Sequence, residues 1–402
     1  MVGTGVDGKM NGKGGVAVPD NLSRRSFLNG CFGCALVYAG AQLLPCSILA
    51  SRAQAHEIRK GLLGPKLSPY FTPLSDKRVR CELCPRLCET GAGERGYCRV
   101  RENRDGKYYS LVFGNPCAVH VDPVEKKPFF HVLPSTMSFS IATAGCNFDC
   151  KFCQNWEISQ ARPDDTMNFD LPPELVVSSA SQFECASIAS TYVEPTIFIE
   201  YMIEIGKLAR KSKILNLMHS NGYVNPKPLE DLCNCLDAAC IDLKGFTPEY
   251  YKEVTDGTLE PVLETLKFLK QKGIHTEIVT LVVPGKNDDA GQIGAMCRWI
   301  RDELGPDVPL HFSRFYPLYK LKSLEPTPVS TLEAAWKKAK DEGLNFVYIG
   351  NVPGHPAENT VCPGCKKPVI TRSAYSVTSF TLKAGKCPEC GRQIPGIWKS
   401  TS

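Results

Sequence analysis

The segment Gly145-Cys146-Asn147-Phe148-Asp149-Cys150-Lys151-Phe152-Cys153 sets three thiols within eight residues, in the spacing C-x3-C-x2-C. Thiolates are soft ligands that suit iron–sulfur clusters and zinc. Iron–sulfur clusters normally take four cysteines, so a loop that offers three leaves one iron without a protein ligand. An open metal position can bind a small molecule, as the open position of a catalytic zinc does. An electron carrier would close that position with a fourth cysteine, and Cys185 is the nearby candidate. A structural zinc loop or three buried thiols would share the same spacing.

The chain holds 20 cysteines among 402 residues, too long for an ordinary disulfide scaffold. Cys362-x2-Cys365 and Cys387-x2-Cys390, 21 residues apart, read as a four-thiolate tetrahedral site for zinc, with rubredoxin-like iron as the alternative. Four ligands close such a site, so its role is structural. Cys81-x2-Cys84-x3-Cys88-x9-Cys98 is a second set, with Cys117 further on. Zinc and an auxiliary iron–sulfur cluster both fit it, and a structural metal is preferred. Cys185, Cys233, Cys235, Cys240 and Cys297 are scattered and read as small buried hydrophobes.

The elements that must position the three-thiol loop alternate between strand and helix. Strands are predicted over 138–143, directly before the loop, and over 187–192, 214–218, 238–243, 276–283, 310–312 and 346–349. Helices are predicted around Ile199–Ile205, over 261–272 before Gly273, and over 331–342 with Ser330 as cap, Glu333 three residues on and Gly343 at the stop. This alternation means parallel βα units. A complete eight-fold barrel needs about 250 residues. The expected fold is therefore α/β, a partial, open βα barrel of about six units with Cys-rich metal-binding modules at both ends. An open Rossmann-like sheet is the alternative, and no G-x-G-x-x-G after a strand supports it. The expected domains are 1–56 (a disordered start and signal), 57–75 (a Pro-containing linker), 76–135 (the first Cys-rich module), 136–352 (the barrel) and 353–402 (the second module).

C-x3-C-x-aromatic-C after a first strand resembles the radical S-adenosylmethionine (SAM) superfamily. The resemblance implies a [4Fe-4S] cluster on Cys146, Cys150 and Cys153, with SAM chelated at the open iron and Phe152 near the adenine. It further implies that one electron from the reduced cluster cleaves SAM to methionine and a 5′-deoxyadenosyl radical, which abstracts hydrogen from a substrate. Glu194, after the second strand, stands where that family binds the SAM ammonium, although the family's two glycines are absent here. A carboxylate facing an ammonium makes a sound charge-assisted pair. An acid stabilised by the dipole at a helix N-terminus is the alternative reading. Asp242-Leu243-Lys244 is similar to a segment of pyruvate formate-lyase activating enzymes near the SAM ribose and carboxylate, although a strand-end salt bridge reads the same. Asn221, after the third strand, and residues 283–287, after the fifth, are further candidates for the cofactor pocket.

The flanks narrow the resemblance. Cys81-Glu82-Leu83-Cys84-Pro85-Arg86-Leu87-Cys88, Gly96 to Asn103, Asp122-Pro123-Val124-Glu125-Lys126-Lys127-Pro128 and Pro395-Gly396-Ile397-Trp398 resemble the radical SAM member of the AmmeMemoRadiSam system. That likeness implies a low-potential electron donor of flavodoxin or ferredoxin type, the system's partner proteins, and a substrate that could itself be a protein. Ser23-Arg24-Arg25-Ser26-Phe27-Leu28 resembles a twin-arginine export signal, and Ala53-Gln54-Ala55 offers a small-x-small cleavage site. The expected location is periplasmic or membrane-attached, with a cytoplasmic one as the alternative because SAM and low-potential reductants are cytoplasmic. Of the formal charge of +5, residues 1–60 carry +4, so the rest gives no electrostatic footprint for nucleic acid. An electron-transfer protein and a metal-stapled binding protein without catalysis remain competing readings.

Overall fold

The computed structural model describes residues 55–398, so the twin-arginine-like motif lies outside the described residues. Its centre is an eight-stranded sheet: β1 (Ala118–Pro123), β2 (Met137–Ala142), β3 (Ser187–Ser190), β4 (Leu215–Ser220), β5 (Ala238–Asp242), β6 (His275–Val282), β7 (Leu310–Arg314) and β8 (Val347–Gly350). The strands pair in chain order. β1 is antiparallel to β2, and β2 to β8 are mutually parallel. Ser190 lies opposite Ile141, Ser220 opposite Ile241, and Asp242 opposite Val279, so the C-terminal ends of neighbouring strands share one rim.

Parallel neighbours need a crossover, and each crossover here is a helix. These are α1 (Pro173–Gln182), α2 (Ile199–Lys211), α3 (Pro226–Cys233), α4 (Glu260–Gln271), α5 (Ala290–Trp299) and α6 (Val329–Asp341). They make six βα units. α2 buries Ile199, Met202, Ile205 and Ala209 at helical spacing, and α4 buries Val262, Leu266 and Leu269. α1, α3 and α5 were not anticipated, because their apolar faces are short. α6 starts earlier than its cap signal suggests. Pro328 precedes its first turn with φ −57° and Ser330 lies inside the helix. Proline has no N–H to leave unpaired there, so it competes well with a serine cap.

Residues 57–75, expected as a linker, pair as short strands. Ile58–Lys60 joins Met167–Phe169, Lys66–Leu67 joins Lys107–Ser110, and Phe71–Pro73 joins Val79–Cys81.

Helices cover one face of the sheet, and residues 124–133 plug the other. Val124, Phe129, Val132 and Leu133 pack on Ala189, Leu215, Leu217, Ala238, Cys240 and Val279. Burying each large apolar side chain contributes about 1.5–3 kcal/mol. Glu277 of β6 fixes the plug by accepting from Phe130 N at 3.1 Å and His131 N at 2.8 Å. The C-terminal module locks it further, since Leu133 N donates to Ile397 O and Ile397 N to His131 O, both at 2.7 Å.

His131 is fully buried, its Nδ1 2.6 Å from Pro395 O and its Nε2 2.6 Å from Tyr348 Oη. Burial pushes its pKa down to about 3, against an opposing pull from Glu277. The folded pKa lies below the ordinary 6.5, so unfolding takes up a proton between those values. The stability linked to His131 is full above pH 6.5 and is lost as pH falls towards about 3. His131→Asn should flatten the pH dependence of the denaturant midpoint across that window by up to one proton, whatever its effect on the midpoint itself.

Candidate functional site

The three-thiol loop leaves the end of β2 and folds under Gly145. Gly145 has φ +90°, and a Cβ there would sit 2.4 Å from Cys98 O and 2.5 Å from Val100 Cγ1, so only glycine fits. The loop's amides satisfy its sulfurs and neighbours. Phe148 N donates to Cys146 Sγ at 3.4 Å, and Cys153 Sγ lies 3.3 Å from Ser159 Oγ. Asp149 N and Lys151 N bond to Thr255 O and Val254 O. Asp149 also holds Lys320 at 2.6 Å, while Trp156 stacks on Tyr319.

Asn147 joins the loop to the rim. Its Nδ2 donates to Tyr223 O at 2.9 Å, and its Oδ1 accepts from Asn221 Nδ2 at 2.8 Å. Glu194, two per cent exposed, accepts from Thr196 N at 2.9 Å, Ser220 Oγ at 2.7 Å and Asn221 N at 2.7 Å. Burial raises the Glu194 pKa, and these three donors oppose the rise. Glu194 therefore caps the turn after β3 and ties it to β4, with about one of four lone-pair positions left over.

Asp242 and Lys244, at the end of β5, form an ion pair at 2.9 Å, and His219 Nε2 lies 3.0 Å from the other Asp242 oxygen. Burial alone would raise the Asp242 pKa, but Lys244 and His219 outweigh it and hold the carboxyl well below its usual range. Lys244 is raised because Asp242 and Cys150 outweigh burial. Its ammonium lies 5.6 Å from the Phe152 ring centre. Asn287, from the 283–287 segment, donates to Lys244 O at 2.7 Å. The structure thus gathers Cys150, Phe152, Asp242 and Lys244 in one place, and Glu194, Asn221 and Cys146 beside it.

Sequence reasoning missed two parts. One is His219, whose signal was its place at the end of a strand. The other is a buried group beside Glu194. Lys127 Nζ lies 2.6 Å from Asp122 Oδ2 and 2.7 Å from Tyr192 Oη, and Tyr192 Oη also donates to Asp122. Burial lowers Lys127 to about 8, more than Asp122 restores. Tyr192 O accepts from the Asn155 side chain, which places this group next to the loop. The run from Asp122 to Pro128 entered the sequence analysis only as part of the family resemblance, and no periodicity in it announced burial.

Cys362, Cys365, Cys387 and Cys390 meet, with Sγ atoms 3.5 Å apart for Cys362–Cys390 and 3.6 Å for Cys365–Cys387. Among the described residues they are the group of Cys, His, Asp and Glu whose ligand atoms all lie within 4.8 Å, a spacing suited to one metal ion. Cys146, Cys150 and Cys153 do not form such a close group. Cys185 is not their fourth partner. Ala186 N bonds to Met137 O at the start of β2, whereas the loop follows its end. The six residues of β2 span roughly 20 Å.

Residues 140–293 match the family model of the radical SAM superfamily. The chain is 44% identical over 327 residues to the uncharacterized protein MJ0808 of Methanocaldococcus jannaschii, covering 81% of this chain and 97% of that one. The chain belongs to the radical SAM superfamily. It is also 24% identical to the pyruvate formate-lyase 1-activating enzyme of Escherichia coli K12, across 47% of this chain and 82% of the enzyme. A radical SAM methyltransferase from Sphaerobacter thermophilus superposes with TM-score 0.44 and 11% identity, over 77% of this chain and 83% of that one. Family membership implies a [4Fe-4S] cluster and SAM. The half-buried Cys146 and Cys153 and the buried Cys150, with Lys244 beside it, fit that group.

In this radical SAM chain, Asp242→Asn would leave Lys244 without its counter-charge. Removing one partner of a fully buried pair costs about 3–5 kcal/mol. Asp242 keeps 27% of its side chain exposed, so a loss of about 2–3 kcal/mol is expected, read from denaturant unfolding of the variant against the parent.

Proposed function

We propose that this protein is a radical SAM enzyme of the AmmeMemoRadiSam type that removes a hydrogen atom from a substrate still to be identified, a protein among the candidates. The observation that carries this reading is the three-thiol loop at the end of β2, held by Asn147 and flanked by Lys244 and Phe152. In this reading Cys146, Cys150 and Cys153 hold the [4Fe-4S] cluster, and the sheet is an open barrel closed by its plug. When bound, the cluster and SAM supply a 5′-deoxyadenosyl radical.

The chain's own side chains do the rest. Lys244 stays charged beside Cys150, where it can neutralise a carboxylate, and Asp242 fixes its direction while His219 braces Asp242. Phe152 offers a ring face towards the same place. Glu194 orients Asn221 and, through it, Asn147. Lys127, Asp122 and Tyr192 form a second polar wall able to hold a proton at Nζ. Residues 124–133 shut water out from the opposite side.

Zinc in the C-terminal quartet, a flavodoxin- or ferredoxin-like electron donor, and export through the twin-arginine-like leader belong to the same proposal. The competing electron-carrier reading loses its fourth ligand, because Cys185 lies at the other end of β2.

Anaerobic reconstitution followed by SAM and dithionite should yield 5′-deoxyadenosine and methionine in equal amounts. Cys150→Ala should reduce that yield to background. No product from the cluster-loaded parent would sink the enzyme reading, and undiminished product from the variant would sink the assignment of the loop.

A further inference from the structure

Four thiols of the N-terminal module remain unused by this reading. Cys81, Cys84 and Cys98 are buried and Cys88 is half-buried. The backbone brings them together: Cys81 N donates to Cys88 O at 2.9 Å, Leu87 N to Cys84 O at 3.1 Å, and Cys88 Sγ lies against Gly96, two residues before Cys98. One of the sulfurs also accepts a backbone amide, Cys88 Sγ from Tyr97 N at 3.4 Å. Simple buried hydrophobes have no use for such a donor, whereas thiolates ligating a metal do.

The spacing of the sulfurs separates one ion from a cluster. A tetrahedral zinc with Zn–S of about 2.3 Å draws its thiolates to within roughly 4 Å of each other. The C-terminal quartet has that spacing, and the N-terminal four do not come within 4.8 Å as a group. A four-iron cubane holds its thiolates on four separate irons and needs the wider setting.

A second observation points into the same space. Tyr108 is fully buried, and its hydroxyl has no hydrogen-bond partner. A Cβ built on Gly96 would lie 2.6 Å from Tyr108 Oη and 3.6 Å from Cys88 Sγ, so hydroxyl and thiol crowd the same spot over this glycine. Cys81, Cys98 and Cys88 are the thiols whose charge Tyr108 would feel. A buried O–H without an acceptor costs about 1–3 kcal/mol, so an acceptor belongs there. Inorganic sulfide or a ligating thiolate would supply it.

We propose that Cys81, Cys84, Cys88 and Cys98 hold a second iron–sulfur cluster, with the Tyr108 hydroxyl as a hydrogen-bond donor to it. This replaces the structural metal preferred from the sequence. All four irons carry a cysteine, so this cluster has no open position for SAM. It lies directly under the loop of the first site, because Cys98 O abuts Gly145 and Arg86 Nε, two residues after Cys84, donates to Asn147 O at 2.6 Å. The assignment stands on these residues alone and does not rest on the chemistry of the loop.

The test uses the full chain with Cys146→Ala, Cys150→Ala and Cys153→Ala combined, reconstituted anaerobically with iron, sulfide and zinc all present. About four irons and four sulfides per chain should remain, beyond any metal in the C-terminal quartet. The reduced protein should give an electron paramagnetic resonance signal that SAM does not alter. Zinc in place of iron and sulfide, or no second metal at all, would overturn the proposal. In the parent protein, Tyr108→Phe should move one of two cluster potentials to a more negative value, since a donor to sulfur is lost. An unchanged pair of potentials would remove Tyr108 from the site. Failure of the parent to respond to SAM would count against the loop reading and leave these outcomes as they stand.

Discussion

A single buried carboxylate holds the working rim together. Glu194 takes three donors, one from its own turn and two from the end of β4, and Asn221 passes the restraint on to Asn147 in the loop. Three neighbouring strands are thereby joined at their C-terminal ends through hydrogen bonds that water does not reach. A carboxylate so deeply placed is costly unless its oxygens are occupied. The same donors that make its burial tolerable also fix the register of the loop. Arg86 strengthens the arrangement from outside, its Nε donating to Asn147 O at 2.6 Å.

Two lysines beside this rim respond to burial in opposite ways. Lys244 faces Asp242, Cys150 and Tyr251, all of which favour its charge, and they prevail over desolvation. Lys127 is buried as well, but Asp122 also serves Lys126, and Lys126 repels it. Its pKa drops to about 8. One lysine is thus a fixed positive charge, while the other can exchange a proton near neutral pH. That division of labour follows from the carboxylates: Asp242 pairs with one lysine, whereas Asp122 is shared between two.

Much of this was legible because it is local. The three-thiol loop, the strand before it, and the strand-end positions of Glu194, Asn221 and Asp242 can be read from spacing and periodicity. The parallel order of β2 to β8 follows from alternating strand and helix signals. What escaped the sequence is contact between distant segments. The Asn147–Asn221 bond, the Glu277 tether to the plug, and the burial of Lys127 each join residues far apart in the chain, and no short-range pattern encodes them. The start of α6 escaped for a different reason, since proline displaced a plausible serine cap. The N-terminal thiols were visible as a set, but the distances between their sulfurs were not.

The two Cys-rich modules act on the site through different contacts. The first reaches the loop through Cys98 and Arg86. The second reaches the plug through Ile397, and through Arg372, whose Nη2 bonds to Phe130 O at 2.7 Å. The modules bury apolar side chains, such as Val79, Val100 and Tyr108 in the first and Val369, Ile370 and Ile394 in the second, and bound metal would add to their order. Metal in the two modules, as proposed, would therefore bear on the rim in two separable ways. Loss of order in the first module would free the thiol loop directly. Loss of order in the second would loosen residues 124–133 and, with them, the burial that sets the pKa of Lys127. With metal in both modules, as proposed, the geometry of the rim would depend in this sense on metal held elsewhere in the chain.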